Sequence, residues 1–195
     1  STGLDALTHA VEAYLSKPAT LITDIHAVKA VKLILGAIEG ACSDIEKNHT
    51  DRENLMLGST IAGFAFGNSD VTAVHCISES IGALYDIPHG VANSIFLPHV
   101  IAYNLPDCFE KMAALARQAG ITQTDDIKAS NAFIQLIVDL SKRLGIPLFE
   151  DLKIGKDQFE KIADMSFENN STPSNPRTLG KKDYLNILVN AYENK

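Results

Sequence analysis

The chain opens with STGLDALTHAVEAYLS, residues 1–16, and this stretch decides the fold class. Its apolar residues return every three or four positions, the spacing of a helix with one buried stripe, and the strict alternation of a half-buried strand is absent. A helix from about Leu4 to Leu15, ending before Pro18, follows from that spacing. It begins within about four residues of Ser1, so either the domain starts abruptly or the chain is a fragment of something longer.

The same helical spacing continues along the chain and predicts an all-α domain, a helical bundle over residues 1–195 with no linker and no internal repeat. Thr20 or Thr23 caps a long helix reaching about Gly40, with Ile25, Val28, Val31, Lys32 and Leu35 marking an apolar stripe in which Lys32 is a snorkelling lysine. A helix from Asp51 to about Phe66 carries small residues at Gly58, Ala62, Gly63 and Ala65, which places it at the centre of the bundle. Val71 to Leu84 reads as an apolar helix, and Tyr85-Asp86-Ile87-Pro88 as a break before a helix from about His89, with Pro88 in its first turn. Pro98 is expected to kink or end that helix, and a further one covers Asp107 to Gln118, closed by Gly120. Ser130 is expected to cap the next helix, whose Phe133, Leu136, Ile137, Leu140 and Leu144 share a face, before Gly145 and Pro147. Lys156–Phe167 and Lys181–Tyr192 are the last two. Residues 169–177 between them are the most loop-like in the chain.

The 195 residues are 46% hydrophobic and 21% charged, which is a globular rather than a disordered composition. The net charge of −7, with no basic stripe, argues against a nucleic-acid partner. No apolar run reaches the roughly 18–20 residues that span a bilayer, and nothing resembles a secretion signal, so no membrane partner and a cytoplasmic location are expected. Cys42, Cys76 and Cys108 are odd in number, widely spaced and flanked by apolar residues, and are expected to be reduced core thiols.

Asp5 and His9 stand one helical turn apart and project from one face, which suits two ligands of one divalent ion. Fourteen Asp and six His in this length give about 0.4 such pairs by chance, so a surface hydrogen bond or an incidental pairing is the favoured explanation of the pair until other ligands join it. His75 lies among apolar residues in Asp70-Val71-Thr72-Ala73-Val74-His75-Cys76-Ile77, where a lone histidine is more often a core residue. His89 sits between Pro88 and Gly90 at a helix start. Together the four offer one carboxylate and three imidazoles, a set suited to Fe²⁺ or Zn²⁺ rather than Ca²⁺ or Mg²⁺. Glu79, four residues after His75, is either a helix-surface carboxylate or a group for proton transfer beside a bound ion. His26, His49 and His99 have no such company: the first reads as the polar side of its helix, the second as a charged loop, the third as part of an apolar segment. The chain contains no GxGxxG after a strand, no GxxxxGK[ST] and no G-x-S-x-G elbow.

Gly3-Leu4-Asp5-Ala6-Leu7-Thr8-His9-Ala10-Val11-Glu12-Ala13-Tyr14 resembles the first metal segment of the iron-containing, or group III, alcohol dehydrogenases. Val74-His75, Gly82-Ala83, Pro88-His89-Gly90-Val91-Ala92-Asn93 and Leu97-Pro98-His99 resemble the second signature of that family, and Thr172-Pro173-Ser174-Asn175-Pro176-Arg177 its usual tail segment. The resemblance covers essentially the whole chain. It implies that Asp5, His9, His75 and His89 are the metal ligands. It also implies a two-domain, dehydroquinate-synthase-like enzyme whose all-helical C-terminal half is this chain and whose N-terminal α/β half, which binds NAD(P), is not present here.

The activity implied is interconversion of a small alcohol and an aldehyde or ketone with NAD(P)H, the ion acting as a Lewis acid on the substrate oxygen. Fe²⁺ is the implied ion, with Zn²⁺ as the alternative. Glu79 stands where many members carry a histidine. Phe64 and Phe66 are candidates for the apolar side of the substrate pocket, with core packing as the competing explanation. The chain alone is expected to be inactive and to need the missing nucleotide domain as a partner, with a homo-oligomer as the other partner considered. Two other readings are a metal-stabilised helical module without turnover and a polyol oxidoreductase of the glycerol dehydrogenase kind. The latter group uses three protein ligands, so His9 argues against it by resemblance.

Overall fold

The computed structural model describes residues 1–43 and 47–193. Among these residues the chain forms eight α-helices, three short 3-10 turns and no strand. They are α1 (Thr2–Leu15), α2 (Leu21–Ser43), α3 (His49–Phe66), α4 (Ala73–Tyr85), α5 (His89–Gln118), α6 (Asp126–Arg143), α7 (Phe159–Phe167) and α8 (Lys181–Glu193). None of the described helices is long and apolar enough to cross a membrane.

The centre of the bundle is α1. Leu4, Leu7, Ala10, Val11 and Leu15 are buried in it, and α2, α3 and α5 pack around it. The expected central position of α3 is not what the structure shows. Only Gly58, Ala62 and Ala65 of that helix are buried, while Met56, Leu57, Phe64 and Phe66 are exposed. Its small residues serve a single seam with α2: a Cβ on Gly58 would lie 2.8 Å from Ile34 Cγ1.

The buried stripe of α2 is also rotated from the expected one. Ala27, Ala30, Val31, Ile34, Ala37, Ile38 and Ala41 face the core, whereas Ile25 and Lys32 are exposed. Alanines carry this stripe because close helix packing selects volume before hydrophobicity. Thr20 and Thr23 both close the start of α2, each backbone N–H donating to the other's hydroxyl, at 2.7 and 3.3 Å.

Pro98 does not end its helix: α5 runs through Pro98 and Pro106, and its backbone breaks at Cys108 (φ −146°, ψ 18°). Burial of Ile95, Phe96, Leu97, Val100 and Ile101 outweighs the single backbone hydrogen bond Pro98 forgoes. Ser130 is not a cap. α6 starts at Asp126, and Asp125 caps it by accepting from Lys128 N at 2.8 Å, while Ser130 Oγ donates to Phe109 O. His49 is the first residue of α3 rather than part of a loop. The three cysteines are free, but only Cys76 and Cys108 are buried, each thiol pushed up to about 12 chiefly by burial; Cys42 is exposed.

Two local features position the site. Asp86 (φ 52°) ends α4 in the left-handed conformation, and Pro88 N-caps α5 in an extended one, so α5 starts within three residues of the end of α4. Gly90 then lets the start of α5 close on the start of α1, since a Cβ there would sit 3.1 Å from Ser1 O and 3.2 Å from Asp5 Cβ.

Candidate metal centre

Asp5 in the first turn of α1, His75 in the first turn of α4 and His89 at the head of α5 each offer a ligand atom, and all three atoms lie within 4.8 Å of one another. Asp5 Oδ1 is 4.0 Å from His75 Nε2 and 3.8 Å from His89 Nε2. His9 stands beside this trio. Its ring centroid is 4.2 Å from that of His75, and its Nδ1 is 3.6 Å from Asp5 Oδ1. The Nδ1–H of His9 donates to the backbone carbonyl of Asp5 at 2.9 Å, which leaves Nε2 as the unprotonated nitrogen.

His75 is fixed the same way by a stronger partner. Its Nδ1 bonds to Glu12 Oε2, and Glu12 is itself buried, its other oxygen accepting from Thr72 Oγ1 at 2.5 Å and from Val74 N at 2.8 Å. A buried carboxylate holding Nδ1–H keeps the lone pair of Nε2 aimed at the cluster and makes the imidazole a stronger donor to a cation. Burial pushes the Glu12 carboxyl upward, but the His75 charge and three hydrogen bonds outweigh it and hold the group below the usual carboxylate range. Burial likewise opposes charge on His75, and Glu12 reverses that, holding the imidazole above its ordinary value. For His9, burial and the neighbouring His75 both lower the value, in favour of the neutral ligand form.

The chemistry of this donor set fits a divalent cation. Asp5 Oδ1, His75 Nε2 and His89 Nε2 all converge on one atom, Asn93 Nδ2, at 2.6, 3.0 and 3.0 Å. An amide nitrogen has two hydrogens, so three acceptors around it leave one unserved. The carbonyl end of the same side chain, Asn93 Oδ1, is buried without a hydrogen-bond partner. Three acceptors crowding one weak donor beside an orphaned oxygen form an arrangement that lacks positive charge, which a cation would supply.

The remaining predicted residues lie around this cluster. The Phe66 ring is 4.3 Å from that of His9, whereas Phe64 is more exposed and faces His26 at 6.1 Å. Glu79 is exposed, one turn beyond His75, and accepts from Asn169 Nδ2 at 2.6 Å. The ring of His99 is largely shielded, and burial lowers its pKa. Sequence reasoning singled out neither Glu12 nor Asn93 nor Thr72. The signal for the first two is spacing: Glu12 is three after His9 and seven after Asp5 on the same face of α1, and Asn93 is four after His89.

Fold and site together define a helical domain with a carboxylate-backed histidine cluster at the joined starts of three helices. Residues 1–192 match the family described as Fe-containing alcohol dehydrogenase family, C-terminal, and the chain belongs to that family. It is similar to the 1,3-propanediol dehydrogenase of Citrobacter freundii, with 40% identity over 98% of this chain and 50% of that protein. The NAD-dependent methanol dehydrogenase of Bacillus methanolicus is 35% identical over 98% of this chain and 51% of its own length. Among solved structures, a 1,3-propanediol oxidoreductase superposes with a TM-score of 0.94 at 39% identity, covering 97% of this chain and 50% of that one. The chain thus spans about half the length of the relatives it matches.

Proposed function

We propose that the protein is a metal-dependent oxidoreductase that interconverts a small alcohol and its aldehyde or ketone with a nicotinamide cofactor, using a divalent ion held by Asp5, His9, His75 and His89. The observation that carries this reading is the convergence of Asp5, His75 and His89 ligand atoms within 4.8 Å, backed by the buried Glu12. When bound, the ion polarises the substrate oxygen as a Lewis acid and favours the alkoxide form of the alcohol. Asp5 supplies the hard, charged ligand and the histidines the borderline ones, a set that accepts Fe²⁺ or Zn²⁺. His89 is the most exposed of the four, so the site is open to solvent on its side. Phe66, its ring 4.3 Å from that of His9, is suited to form the apolar side of the substrate pocket. Glu79 lies outside the cluster, and its place one turn beyond His75 suits it to passing a proton to solvent rather than to holding the ion. The nicotinamide is assigned to a part of the protein outside these residues, in keeping with relatives twice this length and the lack of a phosphate-cradling glycine loop in the sequence.

The test is elemental analysis of purified full-length protein with single alanine substitutions at the four ligands, paired with reduction of short aldehydes by NADH and NADPH. Occupancy and turnover fall together in each variant. Full occupancy after both His75→Ala and His89→Ala overturns the site, and an occupied protein that oxidises neither cofactor overturns the reaction. The metal found identifies iron or zinc.

A further inference from the structure

The segment Thr172-Pro173-Ser174-Asn175-Pro176-Arg177 stands far from the ligand cluster in sequence, contributes no ligand and lies in the most loop-like stretch of the chain. Its hydrogen bonds nonetheless run toward the site. Ser171 Oγ donates to Asp70 Oδ1 at 2.9 Å, and Ser174 Oγ donates to Asp70 Oδ2 at 2.5 Å. Asp70 Oδ1 also accepts from Val71 N at 2.9 Å. Two residues on, Thr72 delivers its hydroxyl, and Val74 its N–H, to the one oxygen of Glu12 that does not face His75. A continuous path therefore joins Ser171 and Ser174 to His75 through Asp70, the short backbone run to Thr72, and Glu12.

The other end of the path is anchored. Asn175 and Asn104 are both buried and exchange two amide hydrogen bonds of 2.8 Å, tying the segment to α5. Thr172 Oγ1 bonds to Tyr184 OH of α8 and to Ser166 O of α7, each at 2.8 Å. Lys17 N donates to Ser174 O at 2.8 Å, fastening the segment to the end of α1, the helix that carries Asp5, His9 and Glu12. The segment thus grips both α1 and the loop before α4, the two elements whose relative placement sets the Glu12–His75 contact.

We infer that residues 171–175 form a strap that positions the metal centre: Ser171 and Ser174 hold Asp70, and Asp70 holds the loop that keeps Glu12 on His75. They are positioning residues, acting through Glu12 and touching neither ion nor substrate. The inference rests on the metal reading above. Partners that orient a histidine ligand change ion affinity by about 10–100-fold when lost, and the strap, one step further out, is assigned the lower end of that range.

The test uses full-length protein stripped of metal and titrated with Co²⁺, whose visible absorption reports ligand geometry. In the Ser171→Ala/Ser174→Ala double variant the apparent Kd for Co²⁺ rises about tenfold and the absorption bands shift. Ser174→Thr, which keeps a hydroxyl, retains the affinity and spectrum of the parent. Asp70→Asn gives the same direction of change through an isosteric substitution, and replaces the double variant if that one does not fold. A structural tie without a positioning role predicts otherwise: a lower unfolding temperature, with Co²⁺ affinity and spectrum of the folded protein unchanged. That result overturns the strap and leaves the metal reading standing. Failure of the parent protein to bind Co²⁺ overturns both.

Discussion

Glu12 is a buried carboxylate, kept charged by one imidazole, one hydroxyl and one backbone N–H. Replacing it by Gln keeps the shape and removes both the charge and the certainty of which His75 nitrogen carries the proton. Glu12→Gln is expected to weaken ion affinity about 10–100-fold, read by competition with a coloured chelator. The pH dependence moves too. In metal-free protein Glu12 holds the His75 pKa above its ordinary value, so a proton competes for the site at a higher pH than for a free imidazole. Ion uptake therefore falls as pH drops through that raised value. In Glu12→Gln the midpoint of uptake moves to lower pH even as the affinity at high pH declines. An unchanged midpoint would show that Glu12 does not govern the proton on His75. The four candidate ligands could be named from the sequence only through the resemblance of two segments to a known family, because turn spacing alone left a surface pair and a core histidine as the better explanations. Glu12 could not, because a glutamate on a helix is ordinarily a solvated one and its burial depends on Thr72 and Val74, sixty residues away.

At the scale of elements, the site depends on how closely helices start to one another. A Cβ added at Gly90 would lie just over 3 Å from Ser1 O and Asp5 Cβ. Gly90→Val forces the head of α5 off α1 at a cost of about 1–3 kcal/mol, and separates Asp5 from His89. The expected result is a loss of ion affinity with helix content unchanged by circular dichroism; intact affinity would mean that the approach is not needed. Asp125→Ala removes the only side-chain cap seen on α6 and costs about 1 kcal/mol in denaturant unfolding, with ion binding untouched. Helix existence was readable nearly everywhere from periodicity. What escaped was which face is buried: α2 turns alanines inward, and α3 lies on the flank, because small residues mark a seam without saying which side of the bundle it is on. The start of α6 escaped because Asp125 and Ser130 are both good caps, and only the packing of Ser130 against Phe109 O distinguishes them.

For the whole molecule, the four candidate ligands form a series of decreasing burial. Their side chains are 3% exposed at His75, 17% at His9, 23% at Asp5 and 44% at His89. One wall of the site is thus part of the core and the other opens on solvent. Such an asymmetry has a kinetic meaning as well as an energetic one. An ion held by these four residues would pass His89 first on leaving for a chelator and part from His75 last. His89→Ala is therefore expected to shorten the half-time of stripping by a chelator more than it lowers occupancy at rest, whereas His75→Ala empties the site outright. Stopped-flow transfer to a chelator separates the two, and equal release rates in parent and His89→Ala would contradict the order. On this reading the core histidine would set how firmly an ion is kept, and the open one how quickly it can be exchanged.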